Sequence, residues 1–155
     1  MNKQSLPEGY HSVNMYLSLR DAIAAIDFYK RAFGAEQVMK LDMPDGKVAH
    51  AEIKIGDTIV MMSEENPEWG NKSPLTLGGS PVHLMIYVPD VDAAFRQAIT
   101  AGGKETRPVK DQFYGDRSGT LKDPFGYEWT LATHIEDVSQ EECQRRMEAE
   151  FAQAQ

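Results

Sequence analysis

One stretch of the chain, Asp21 to Gly34 (DAIAAIDFYKRAFG), returns in fainter form as Asp90 to Gly103 (DVDAAFRQAITAGG), 69 residues later at both ends of the element. The same offset sets Ala24 and Ala25 on Ala93 and Ala94, Ile26 on Phe95, and Ser18-Leu19-Arg20-Asp21 on Tyr87-Val88-Pro89-Asp90. One motif is used twice. A chain of 155 residues buries roughly two thirds of its unfolded surface, so the two copies are expected to share a core.

Taken in order, Ser12 to Leu19 alternates, with Val13, Met15, Leu17 and Leu19 on one face and Asn14, Tyr16 and Ser18 on the other, the pattern of a half-buried strand. Asp21 is placed to cap the helix that follows, Ile26, Tyr29 and Phe33 form its apolar stripe, and Gly34 ends it. The helix is expected on the Val13/Leu17 face. Gln37 to Met43, Lys47 to Ile55 and Thr58 to Ser63 read as strands joined by Pro44-Asp45-Gly46 and Gly56-Asp57. His50, Glu52 and Lys54 share one face of the middle strand.

Glu64 to Ser80, with its prolines and glycines and no sustained period, reads as a connector in which Trp69 is the one large anchor. Val82 to Val88 is the next strand, with His83, Met85 and Tyr87 on one face, and Asp92 to Ala101 the second helix. An irregular strand from Glu105 to Phe113 and a hairpin of Arg117 to Lys122 with Tyr127 to Thr133, turned by Asp123-Pro124-Phe125-Gly126, complete the second copy. Trp129 points opposite Glu128 and Thr130, so it and Phe125 are assigned to the core. After Asp137, Ser139 with Glu142 reads as a capping box, and Cys143, Met147, Phe151 and Ala154 form a thin apolar stripe on a polar helix. The organisation is therefore α+β: one domain over 1–137, built of modules 12–63 and 82–133 joined by loop 64–80, and a C-terminal amphipathic helix over 138–155.

A formal charge of −8, with 16 Lys plus Arg against 24 Asp plus Glu, argues against nucleic acid or an anionic membrane as partner. The opening residues, MNKQSLPEGYHS, have no apolar core of signal-peptide length, which points to the cytoplasm. The single Cys143 excludes an intrachain disulfide and multi-cysteine metal modules, and nothing near it in sequence would activate the thiol.

The two strand–helix–three-strand units, the IDFYKRAFGAE helix, the IGD turn and the closing DPFGYEWTL resemble the vicinal oxygen chelate superfamily, which includes glyoxalase I, extradiol dioxygenases, fosfomycin-modifying enzymes and bleomycin-resistance proteins. The resemblance runs from about Ser12 to Thr133 and is strongest to the PhnB-like branch, where wording close to MPDGKVAHAEIKIGD is typical. It implies a U-shaped sheet from each βαβββ module, helices outside, a ligand cleft inside and a homodimer. The family's metal ligands occupy four strand positions, which match Asn14, Met61, His83 and Thr130 here. The repeat checks this register independently, because 69 residues separate Asn14 from His83 and Met61 from Thr130. Only His83 is a strong donor for a divalent ion, so no metal centre of the family type is expected.

Two functional classes follow, and a third stands beside them. In the first, a small organic molecule lies in a cleft lined by Tyr16, Met61, Met85, Tyr87 and Thr130, with Trp69, Phe113 and Tyr114 near its mouth and Asn14 and His83 supplying directional hydrogen bonds, without a cofactor. His50, Glu52, His83 and Glu128 are candidates for acid and base work on it. In the second, a Zn, Ni, Mn or Fe ion held by a shifted set including His83 serves a lyase, isomerase or dioxygenase. The third is a non-catalytic regulatory or structural dimer that uses the C-terminal helix.

Overall fold

The computed structural model describes residues 6–154; residues 1–5 and 155, where the N-terminal stretch read above begins and the C-terminal segment ends, lie outside the described part. Each copy of the repeat forms its own four-stranded mixed sheet. In the first, β1 (Met15–Leu19), β2 (Glu36–Asp42), β3 (Val48–Ile55) and β4 (Thr58–Glu64) lie in the order β1-β4-β3-β2, β1 parallel to β4 and the rest antiparallel. In the second, β5 (His83–Tyr87), β6 (Lys104–Asp111), β7 (Asp116–Lys122) and β8 (Glu128–His134) repeat that order as β5-β8-β7-β6.

The helices repeat down to their caps. α1 (Ala22–Phe33) starts where the Asp21 carboxylate accepts the Ala24 N–H at 2.9 Å, and α3 (Val91–Ala101) where Asp90 accepts that of Ala93 at 3.0 Å. Gly34, at φ 66°, lets the chain leave α1 in the left-handed conformation that a side chain disfavours. α1 and α3 pack on each other, and Gln97 Nε2 donates to the Arg31 carbonyl while Arg31 Nη1 donates to that of Ala101, both at 2.8 Å. The expected common core is present: Leu17, Ile26, Tyr29, Ile53 and Met62 of the first copy join Leu84, Phe95, Leu121, Trp129 and Leu131 of the second in one buried cluster.

The centre of that cluster is polar. Tyr29 and Phe33 of α1 lie against Trp129 of β8, with ring centroids 5.3 and 4.8 Å apart. Beneath them the Asp123 carboxylate accepts four hydrogen bonds: from the Tyr29 hydroxyl at 2.7 Å and, at 2.9 Å each, from Trp129 Nε1 and the backbone N–H groups of Phe125 and Tyr127. Burial pushes the Asp123 carboxyl above its ordinary value, while these hydrogen bonds favour the ionised form. A second bridge runs from Tyr127, whose hydroxyl meets both the N–H and the C=O of Ser18, each at 3.1 Å, on the free edge of β1.

Several expectations are corrected. Of the expected Val13/Leu17 face, Leu17 joins the α1 residues in the buried cluster together with Leu19, whereas Val13 precedes β1 and is exposed. The connector is not featureless: Pro67–Trp69 forms a 3-10 turn and Pro74–Leu77 a short helix, α2, capped by Ser73. Trp69 is 82% exposed and anchors nothing; the loop is held by Glu65, whose carboxylate accepts the Ser73 N–H at 2.8 Å and the Thr76 hydroxyl at 2.9 Å and is lowered to about 2 chiefly by that backbone bond. The C-terminal helix, α4 (Gln140–Gln153), has half a capping box. Ser139 Oγ accepts the Glu142 N–H at 3.2 Å, but the Glu142 carboxylate turns away to Arg145 and Arg146. Arg146 also reaches Glu136 at 2.8 Å, and Cys143 and Met147 are partly buried while Phe151 is exposed.

Whichever way the amide turned, Asp123→Asn would place its N–H₂ against at least one N–H that can only donate, since of the four partners only the Tyr29 hydroxyl can also accept. It should lower unfolding free energy in urea by about 2–4 kcal/mol, whereas Tyr29→Phe, which removes one donor of the four, should cost about 1–2 kcal/mol.

Candidate functional site

In a strand, alternate residues face opposite ways, so burying one face in the helix layer leaves the other free. The free face of the first sheet is read off its register. Tyr16 pairs with Met61, Met61 with Glu52 and Glu52 with Met39, giving one row across β1, β4, β3 and β2, with Ser18 beside Ser63 and His50 beside Leu41 in the neighbouring rows. On the second sheet His83 pairs with Glu128, Met85 with Thr130, and Thr130 with Thr120.

Three side chains of the first face form a line of hydrogen bonds. Tyr16 Oη lies 3.0 Å from His50 Nδ1, and His50 Nε2 lies 3.0 Å from Glu52 Oε1. An ionised carboxylate only accepts, so in the neutral ring the proton sits on Nε2, Nδ1 presents its lone pair, and the Tyr16 hydroxyl donates to it. Glu52 is 7% exposed, and its carboxyl is held below the ordinary range by hydrogen bonds from Tyr10 and then His50, against the upward push of burial.

At one end of this face the Asn71 side chain joins Ser18 Oγ and donates to Ser63 Oγ at 3.1 Å, pinning the connector there. A cavity of about 520 Å³ opens between them, lined by Tyr16, Met43, Asp45, Lys47, Glu68 and Trp69 among others. Glu64, whose carboxylate accepts the Ala22 N–H at 3.0 Å, also lines it and is pushed above the ordinary carboxylate range by burial.

The second face is built differently. His83 Nδ1 lies 3.0 Å from Glu128 Oε2, the Thr120 and Thr130 hydroxyls are 2.9 Å apart, and Tyr87 donates to Asp116 Oδ2 at 2.8 Å. Asp116 Oδ1 also meets His134 Nδ1, and Asp137 meets His134 Nε2, both at 2.8 Å. A cavity of about 570 Å³ lies over Thr120 and Thr130, walled by Phe113 and Tyr114 and bordered by Arg107 and Lys110.

Most of the residues singled out in the sequence thus fall on these two faces. His50 with Glu52, and His83 with Glu128, form two pairs on separate sheets. Met61 lies beside Tyr16, and Met85 and Tyr87 are open on β5. Asn14 is the exception: it precedes β1, and its amide is tied to the backbone of His11 two ways, which leaves it no role as a cleft donor. Sequence reasoning missed Tyr10, Asp116, His134, Arg107 and Lys110. Register alone would have found Asp116 and His134, which face each other across the β7–β8 ladder; nothing local marks Tyr10 as a partner of Glu52.

The four family metal positions do not fit a divalent ion. Asn14 is engaged in its own turn, Met61 offers a thioether, the Thr130 hydroxyl is paired with Thr120, and His83 is left with Glu128. Among the described residues, no group of three or more His, Cys, Asp or Glu side chains is arranged to hold one.

The model of the Glyoxalase/Bleomycin resistance protein/Dioxygenase superfamily matches residues 11–131. The chain is 39% identical over 142 residues to the uncharacterized protein Mb0911c of Mycobacterium bovis, covering 90% of this chain and 93% of that one. Among solved structures it is similar to TioX from Micromonospora sp. ML1, with a TM-score of 0.62 and 25% identity over 80% of this chain and 100% of the other. The PhnB protein from Bacillus cereus shares the fold at a TM-score of 0.61 and 19% identity, over 79% of this chain and 98% of the other.

His134 carries a pH dependence. Hydrogen bonds to Asp116 and then Asp137 raise it above 6.5, so the protonated ring is favoured by the fold. Its contribution is fully present below about pH 6.5 and fades as pH rises through the raised folded value. The stability difference between the native chain and His134→Ala, measured by urea unfolding, should be larger at pH 5.5 than at pH 9.

Proposed function

The chain belongs to the Glyoxalase/Bleomycin resistance protein/Dioxygenase superfamily, and from that premise we propose that it binds a small organic molecule without the family's metal, in a site made by the first face of one copy and the second face of another. The observation that carries this reading is the pair of open faces. Helix packing turns the apolar halves of the sheets toward each other through α1 and α3, and on the opposite faces leaves Tyr87 62% exposed and Tyr16, Leu41 and Met85 near one half, beside buried polar residues such as Glu52 and Thr120. Apolar side chains of this size, gathered on two faces each holding its own cavity, suit a partner surface and a ligand better than bulk water.

Charge supports the pairing of unlike faces. Asp45, Glu64, Glu65 and Glu68 outnumber Lys47 around the first cavity, and Arg107 and Lys110 border the second. Bringing first against second joins opposite signs, whereas first against first would oppose carboxylates. The unit that would do this is the domain over 1–137. We assign the chain to the PhnB-like branch on the wording of its DPFGYEWTL hairpin and its likeness to the Bacillus cereus protein, and place it in the cytoplasm, with neither nucleic acid nor membrane as partner. No helix of the described residues is long and apolar enough to cross a membrane.

Light scattering at micromolar concentration should give twice the chain mass. A thermal-shift screen of planar cations, thiol conjugates and short keto or hydroxy acids should find a compound that raises the melting temperature by roughly 5–10 °C at about a hundred times its Kd, and the gain should be lost in Met85→Glu. Stoichiometric Zn, Ni, Mn or Fe that disappears in His83→Ala would replace this reading with the metal-dependent one. A dimer that no compound stabilises would favour the regulatory or structural one.

A further inference from the structure

The two copies of the repeat provide an internal control on the first face. Strand register places Met85 where the first sheet has Tyr16, Thr130 where it has Met61, Thr120 where it has Glu52, and Ser118 where it has His50. The same fold is therefore built once with a phenol, an imidazole and a carboxylate in line, and once with a thioether and two hydroxyls. The architecture does not need the line. It also runs from outside to inside: Tyr16 is 48% exposed, while the side chains of His50 and Glu52 are 25% and 10% exposed.

We propose that Tyr16 is the proton-transfer group of this protein, with His50 as the base behind it and Glu52 as the group that fixes and balances His50. Tyr16 is the member that reaches the cavity of the first face, where a bound molecule would meet its oxygen. Because His50 Nδ1 accepts the Tyr16 proton, the phenol oxygen keeps its lone pairs free toward the cavity. A ligand with an acidic O–H, S–H or activated C–H gives its proton to Tyr16 Oη as the original phenolic proton passes to Nδ1. The ligand becomes an anion, Tyr16 ends neutral, and the imidazolium is held by the ionised Glu52 through Nε2–H.

This rests on the reading of the first face as a ligand site, and its test is independent of finding the ligand. An arylsulfonyl fluoride replaces it: Tyr16 Oη attacks sulfur, the S–O bond forms, S–F breaks, fluoride leaves, and the phenolic proton goes to His50 Nδ1. Peptide mapping should show Tyr16 labelled about tenfold or more faster than Tyr114, which has no imidazole behind it. His50→Gln should abolish the acceleration. Glu52→Gln, which keeps the hydrogen bond and removes the charge, should slow Tyr16 several-fold without changing Tyr114. Labelling of Tyr16 at the rate of Tyr114, or acceleration that survives in a folded His50→Gln, would overturn the relay even if a ligand is found. A fruitless ligand screen with accelerated labelling would instead leave the relay standing and remove the binding reading.

Discussion

The Asp123 carboxylate is the interaction on which the two halves depend. It belongs to the turn between β7 and β8 of the second copy, yet one of its four donors is Tyr29 from the middle of α1 in the first. Two backbone N–H groups make it organise its own turn, so the turn cannot relax if the inter-module contact is broken. A charge with this degree of burial is tolerable only when its lone pairs are filled, and they are filled only when α1 sits against Trp129. The carboxylate therefore specifies the docking geometry, while the surrounding rings supply the buried area.

That docking decides what remains outside. Each sheet has one apolar and one mixed face, and α1 with α3 consumes both apolar ones. The mixed faces are then as far from the shared core as strand geometry allows. They are free to carry groups that a core would exclude, including two histidine–carboxylate pairs, and they expose aromatic and thioether surface that water solvates poorly. The same constraint that makes the chain cohesive thus leaves apolar side chains such as Tyr16, Met85 and Tyr87 on its outer faces.

Much of this was legible in the residues. The caps at Asp21 and Asp90, the glycines after each helix and the alternation of each strand are local chemistry, and local chemistry reads directly from sequence. The repeat also carried the correct register from β1 to β5 and from β4 to β8. It slips by one residue between β3 and β7, because the turn after β7 is longer than Gly56-Asp57, so Glu52 corresponds to Thr120 and not to Leu121. The errors lie where a side chain chose among distant partners. Trp69 looked like an anchor because it is large, but the loop is anchored by a carboxylate collecting short-range donors. Asn14 fell on a ligand position, yet the backbone of His11 was nearer than any ligand. Asp123 reads as an ordinary turn aspartate, and only the fold brings Tyr29 to it.

The two faces have diverged in a way that bears on chemistry. On the second, the central row holds Met85, Thr130 and Thr120, whose hydroxyls satisfy each other and can orient a ligand but do not titrate in a useful range. Its histidines sit at the strand ends, His83 against Glu128 and His134 between two aspartates, away from that row. On the first, the imidazole lies inside the sheet with one nitrogen committed to a buried anion and the other to a phenol that faces out. A histidine held in that way has its tautomer and its orientation decided before any ligand arrives. The second face thus carries hydroxyls that satisfy each other, and the first an imidazole fixed between a carboxylate and a phenol.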